Sequence, residues 1–141
     1  MGETRLRSRV ILYNKERNSI LLIKRQKKGE KYLVVPGGGV NPGEKDEQAA
    51  IREIHEELGW QLIVNQLKLL FFVEEGSEIQ KYFLYQTEIS TTPQIKGEEA
   101  IRASADNQYV PIWVNIEQLG QINLVPSSAK ERLIHYFYQI R

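Results

Sequence analysis

The sequence predicts an α/β fold, a mixed β-sheet layered with helices. Three observations predict it. Short runs with strand character lie on both sides of one central amphipathic helix. A glycine-rich loop leads into that helix. A second amphipathic helix closes the chain. Strands before and after a helix, each with an apolar face, call for a sheet that the helices cover.

The elements follow in order. Leu6 to Tyr13 and Ser19 to Arg25 read as strands, with Asn14 to Asn18 as a hairpin connection. Tyr32 to Val35 is a third short strand, stopped by Pro36. Gly37-Gly38-Gly39-Val40-Asn41-Pro42-Gly43 reads as a loop. A helix follows over Lys45 to Leu58, ended by Gly59, the residue type that most easily takes the left-handed conformation past a helix end. Leu62 to Val64, Lys68 to Val73 and Lys81 to Glu88 read as strands. Residues 90–108 are polar, contain Pro93 and Gly97, and read mostly as loop; Tyr109 to Val114 is the last strand. The final helix is predicted from Ser128, where Ser128 and Glu131 have capping-box spacing, with Leu133, Phe137 and Ile140 as an apolar stripe that packs on the sheet.

Bulk properties narrow the function. The 141 residues are 41% hydrophobic and 26% charged, which suits one domain over residues 1–141 with its own core. Cysteine is absent, which excludes thiol catalysis, disulfide scaffolding and cysteine-bound zinc. No apolar run approaches the roughly 20 residues that span a membrane, and Met1 to Arg9 has no apolar segment behind it, so a cytoplasmic protein is expected. The net charge of +1 argues against nucleic acid or a membrane as partner.

The informative stretch is Gly38 to Trp60. On a helical wheel Ala50, Ile51, Ile54 and Leu58 form the buried face, and Glu53, Glu56 and Glu57 share one flank within about 100°. Like charges at these spacings each cost about 0.2–0.5 kcal/mol. They also sit in the C-terminal half of the helix, where its dipole disfavours anions. Arg52 is placed to pair with Glu56. A bound divalent cation would resolve the remaining conflict. With oxygen donors and neither His nor Cys facing them, that cation is Mg²⁺ or Mn²⁺ rather than zinc. Three clustered glutamates alone would read as a solvated helix face; the residues around them change the weighting.

Those residues are Gly38, five residues, Glu44, seven residues, then Arg52-Glu53-Ile54-His55-Glu56-Glu57-Leu58-Gly59-Trp60. The segment resembles the signature of the Nudix hydrolase family (MutT-like), G-x5-E-x7-R-E-U-x-E-E-x-G-U, where U is a bulky aliphatic residue. All seven fixed identities are present over residues 38–60, and Trp60 in place of an aliphatic residue is the one departure. Seven identities at fixed spacing arise by chance about once in 10⁹ windows.

The resemblance implies an α/β/α sandwich and hydrolysis of a pyrophosphate bond in a nucleoside diphosphate linked to another group, or in a nucleoside triphosphate. It implies Glu53, Glu56 and Glu57 as metal ligands, Mg²⁺ as cofactor with Mn²⁺ an option, and one glutamate as general base. Arg52 would orient a carboxylate and Glu44 would support the loop. Gly38 and Gly39 would approach metal or substrate with their backbone. A further acidic residue from outside the box is expected among Glu98 and Glu99, with Glu99 preferred. Arg25 is expected to reach a phosphate or to be a solvated strand end. Tyr32 and Tyr82 are both read as core or sheet-surface residues with a base or sugar contact as the alternative, and Tyr32 is assigned as a substrate contact; Arg102, Asn107 and Tyr109 are placed on the far side of the pocket. His55 points away from the carboxylates and His135 is a surface or packing residue.

Two other functions compete. A nucleotide sensor on the same fold would usually have damaged the Arg-Glu and Glu-Glu pairs, which are intact here. An isomerase or RNA-decapping enzyme is the other, and RNA work would call for a basic groove or added domain. The ADP-ribose subgroup tends to carry a downstream proline where this chain has Glu74-Glu75-Gly76. The dinucleoside-polyphosphate subgroup tends to carry a tyrosine where Ser77-Glu78-Ile79 stands. The expected partner is a small nucleotide-type substrate, and the chain is expected to be a monomer or homodimer.

Overall fold

A computed structural model describes residues 4–97, 100, 103–104 and 107–139. Strand β1 (Arg5–Asn14) and strand β2 (Ser19–Lys27) form a hairpin. At its turn Asn18 is left-handed and the Asn14 side chain accepts from Arg17 N. Strand β3 (Glu30–Val34) follows. Gly37–Gly39 forms a short strand, β4, where the sequence suggested only loop. It pairs with β1 in the register Arg7↔Gly39, Ser8↔Gly38 and Arg9↔Gly37.

Helix α1 spans Asp46–Leu58, and the Gln48 side chain accepts from Lys45 N at its start. Gly59 closes it with φ 73° and an N–H bonded to the His55 carbonyl. Strands β5 (Lys68–Glu75) and β6 (Glu78–Gln86) form a second hairpin, and β7 (Asn107–Asn115) is last. Helix α2 spans Ser127–Gln139.

Among the described residues the sheet has the order β3-β2-β1-β6-β5, with β4 on β1 and β7 on β2. It is mixed, because β1 and β6 run parallel while the other pairs are antiparallel. The important feature is a fork. β1 joins β2 only at its C-terminal end, Tyr13↔Ile20 and Asn14↔Ser19, and its N-terminal half takes β4 instead. The two halves of the sheet therefore part beside the glycine strand.

Alternation along the strands makes two cores. Val10, Leu12, Leu21, Ile23 and Phe83 pack under Ala50, Ile54 and Leu58 of α1. Ile11, Tyr13, Ile20, Leu22, Phe71 and Tyr82 pack against Ala129, Leu133 and Phe137 of α2. This is the expected α/β/α sandwich.

Two sequence expectations are corrected. Leu62 to Val64 is not a strand; Leu62 is buried in the α1 core and Val64–Gln66 is a 3₁₀ turn, because no neighbouring strand offers this segment a pairing edge. The capping box at Ser128 is also absent. Pro126, which follows a cis bond, starts the helix one residue earlier, and its carbonyl accepts from Ala129 and Lys130. The Ser128 hydroxyl is buried without a hydrogen-bond partner. Ile140, the last residue of the predicted stripe, lies outside the described residues.

Candidate active site

The site grows from the contact between β4 and α1. Gly38 sits directly over Glu53: a Cβ on Gly38 would lie 2.4 Å from the Glu53 carboxyl carbon. The absence of a Cβ lets the strand come this close without displacing the Glu53 carboxylate. Gly37 is more constrained. Its φ is +147°, and a Cβ there would meet the Ser8 carbonyl oxygen at 2.1 Å. Its N–H donates to Glu57 Oε2 at 3.2 Å. On the same side Ser8 Oγ donates to the Asp46 carbonyl at 2.8 Å, and Lys81 pairs with the Asp46 carboxylate.

Arg52 organises the acidic flank. Its Nε and Nη2 form a fork on Glu44 at 2.8 and 3.0 Å. Nη1 donates to Glu53 at 2.9 Å and to Glu56 at 3.2 Å, and Nη2 also reaches the Gly39 carbonyl at 2.8 Å. The sequence suggested Arg52 with Glu56; the structure gives it three glutamates and the loop. Hydrogen bonding from Arg52, with a bond from Asn41 N, holds the Glu44 carboxyl below the usual carboxylate range. The same contacts, Glu44 first, raise the Arg52 pKa above its already high ordinary value.

The three box glutamates differ in environment. Glu57 is 7% exposed, the Glu53 side chain 17% and the Glu56 side chain 54%. Glu57 thus lies deeper than a flank position suggests, since it turns under β4 toward Gly37. Among the described residues no three His, Asp or Glu side chains converge on one point, for Glu53 and Glu56 turn to Arg52 while Glu57 turns to Gly37. The donor set still fits a hard cation: carboxylate oxygens on one helix flank, one of them buried, with no competing imidazole or thiolate. His55 is exposed on another face.

Beside Glu57, the fork in the sheet opens a cleft of about 130 Å³. Arg7, Arg9, Arg25, Gly37, Glu57 and Tyr109 are among its walls. Arg25 stands in a cross-strand row between Tyr32 of β3 and Tyr109 of β7. Its guanidinium carbon lies 3.9 Å from the Tyr109 ring centre and 5.8 Å from that of Tyr32. Asn107 Oδ1 is 3.5 Å from Arg25 Nη2.

The structure therefore brings together Glu44, Arg52, Glu53, Glu56, Glu57, Gly38 and Gly39, and places Arg25, Tyr109 and Asn107 at the neighbouring cleft. Tyr32 touches the site through Arg25. Tyr82 is a core residue stacked on Phe71, and burial pushes its hydroxyl pKa up to about 12. Glu98, Glu99 and Arg102 lie outside the described residues.

Sequence reasoning missed Arg7 and Arg9, and it placed Gly37 only in a loop near the helix. A signal for the arginines was present: Arg5, Arg7 and Arg9 alternate just before the apolar run Val10-Ile11-Leu12. Such a run marks one strand face as charged near the point where the core begins.

Comparison with known proteins agrees with this geometry. The NUDIX domain family model matches residues 3–136, so the chain belongs to that family. The nucleoside triphosphatase NudI of Escherichia coli O17:K52:H18 is 32% identical over 104 residues, which are 67% of this chain and 69% of the relative. Among solved structures, the MutT NUDIX hydrolase from Burkholderia pseudomallei superposes with a TM-score of 0.63 at 25% identity, covering 82% of this chain and 86% of that one. A C. elegans Ap4A hydrolase shares the fold, with a TM-score of 0.69 at 20% identity over 95% of this chain and 97% of the other. The protein is a MutT-like Nudix hydrolase. No helix among the described residues is long and apolar enough to cross a membrane.

Proposed function

We propose that the chain hydrolyses a pyrophosphate bond in a nucleoside triphosphate, with Mg²⁺ held by Glu53, Glu56 and Glu57. The observation that carries this reading is the junction of an acidic helix flank with an arginine-lined cleft at Glu57. Carboxylates gather the cation, and arginines meet the phosphates that the cation does not neutralise. The NudI relative, a nucleoside triphosphatase by name, supports the triphosphate over other nucleotide derivatives.

The residues have distinct tasks. Glu57, buried and fixed by Gly37 N–H, sets the inner edge of the metal site. Arg52 separates Glu53 from Glu56 and prevents their mutual repulsion from opening the helix flank. Gly38 and Gly39 bring backbone close enough to line the reacting phosphate. When bound, the divalent ion lowers the pKa of water and neutralises charge on phosphate oxygens. Water attacks one phosphorus, the bridging P–O bond breaks, and the departing phosphate keeps the electron pair. A glutamate takes the water's proton, and Glu56, the most solvent-open of the three, is the acceptor we favour.

The test is product release from a panel of nucleoside triphosphates and nucleoside diphosphate derivatives, with Mg²⁺ and with EDTA. Metal-dependent cleavage of a triphosphate is the expected result. Absence of cleavage across the panel, with nucleotide binding retained, would replace this reading with a sensor.

A further inference from the structure

The cleft beside Glu57 holds two cations whose hydrogen-bonding capacity the fold leaves largely unused. Arg9 gives one hydrogen bond, from Nη1 to the Val35 carbonyl at 3.3 Å. No carboxylate among the described residues lies within ion-pair distance of Arg9 or Arg25, although Arg7 is paired with Glu78 at 2.7 Å. Arg9 is half-buried, and burial lowers its pKa while Tyr82, Glu57 and Glu78 act to raise it. Arg25 is gripped by Tyr109 and Tyr32, which fix the plane of its guanidinium. Its Nε is buried and has no hydrogen-bond partner among the described residues, and its Nη2 makes one long contact, 3.5 Å to Asn107 Oδ1. Leaving the buried Arg25 Nε unpaired is costly, and an anion placed between the two guanidinium groups would recover that cost.

The cleft, about 130 Å³, has room for a tetrahedral phosphate. Its charge restricts the anion. A terminal phosphate carries about −1.5 to −2 at pH 7, because its second pKa is near 6. A phosphate esterified at both ends lacks that second ionisation.

We propose that Arg9 and Arg25 form a seat for the substrate's terminal phosphate, so that the enzyme selects substrates ending in an uncapped phosphate over those whose phosphate chain is capped by a second organic group. Arg7 adds to the field but is shared with Glu78. This rests on the hydrolytic reading given above and adds the substrate feature read at one wall of that site.

The experiment compares kcat/KM for a nucleoside triphosphate and a nucleoside diphosphate sugar, using the full chain with Mg²⁺, for wild type, Arg9→Met and Arg25→Gln. The triphosphate-to-capped ratio is expected to fall by about 10- to 100-fold in each variant, the worth of one hydrogen bond to a charged group. Equal losses on both substrates, or none, would overturn the proposal. Arg25→Lys keeps the charge but loses the fork, and its ratio is expected between wild type and Arg25→Gln; thermal melts confirm that each variant folds. Should the wild type cleave neither substrate, the hydrolytic reading fails on its own, and calorimetry with inorganic tripolyphosphate still decides the cleft. Binding weakened tenfold or more by Arg9→Met supports the seat, and unchanged binding removes it.

Discussion

The backbone N–H of Gly37 donates to the carboxylate of Glu57 across 3.2 Å, joining a three-residue strand to a helix position twenty residues later. Gly37 can occupy that place only because it has no Cβ: the Ser8 carbonyl would stand 2.1 Å from one. The strand pairing of β1 with β4 and the orientation of Glu57 are therefore one structural fact.

Replacing Gly37 with Ala is expected to unfold this junction. The clash is with backbone, which cannot swing aside, and the φ of +147° is strained for any side chain. A loss of about 2–3 kcal/mol is expected in denaturant titration. Unchanged stability would show that β4 does not anchor to β1 as described.

Gly38→Ala should behave differently. The added methyl meets the far end of the Glu53 side chain, which can rotate away. The melting temperature should change little while turnover falls at least about tenfold, because the carboxylate is displaced. Activity equal to wild type would mean that the position of Glu53 is unimportant.

Glu57→Gln removes a charge at the buried edge of the site. Turnover is expected to drop by about 100-fold or more with the circular dichroism spectrum unchanged. Millimolar Mg²⁺ should raise the melting temperature of the wild type, since the ion binds only the folded flank, and should raise that of the variant less. Equal shifts in both would take Glu57 out of the ligand set.

The Glu44–Arg52 fork should appear in the pH dependence of stability. Arg52 holds the folded-state pKa of Glu44 below its ordinary 4.5. The contribution is thus fully present above about pH 4.5 and disappears as pH falls through the lowered folded-state value. Wild type and Glu44→Gln should differ in melting temperature at pH 6 and converge toward pH 3. A difference that widens on acidification would reverse the assigned sign.

The strands, the two helices and the box were legible because each carries local information. Alternation marks β1 and β2, a stripe marks α1, and Gly59 marks its end. Gly37–Gly39 has the sequence of a loop, because glycine has low strand propensity and only β1 beside it supplies the pairing. Leu62 to Val64 has strand character in its apolar composition alone. Ser128 looked like a cap from its spacing, while the preceding Pro126 carbonyl already accepts the first helix bonds.

By itself the sequence determined which residues share a helix flank, that the flank is acidic, that Arg52 lies among its carboxylates, and which family the box resembles. These follow from spacing along one helix, where 3.6 residues per turn converts order into geometry. Only the tertiary structure decided that Glu57 is buried under β4, that Arg52 serves Glu44 and Glu53 as well as Glu56, and that Arg9 and Arg25 face one cleft. The first and the last join residues 16 or more positions apart, and the second depends on how the loop before α1 folds back on the helix. They are set by strand register and by the fork in the sheet, which no local pattern encodes.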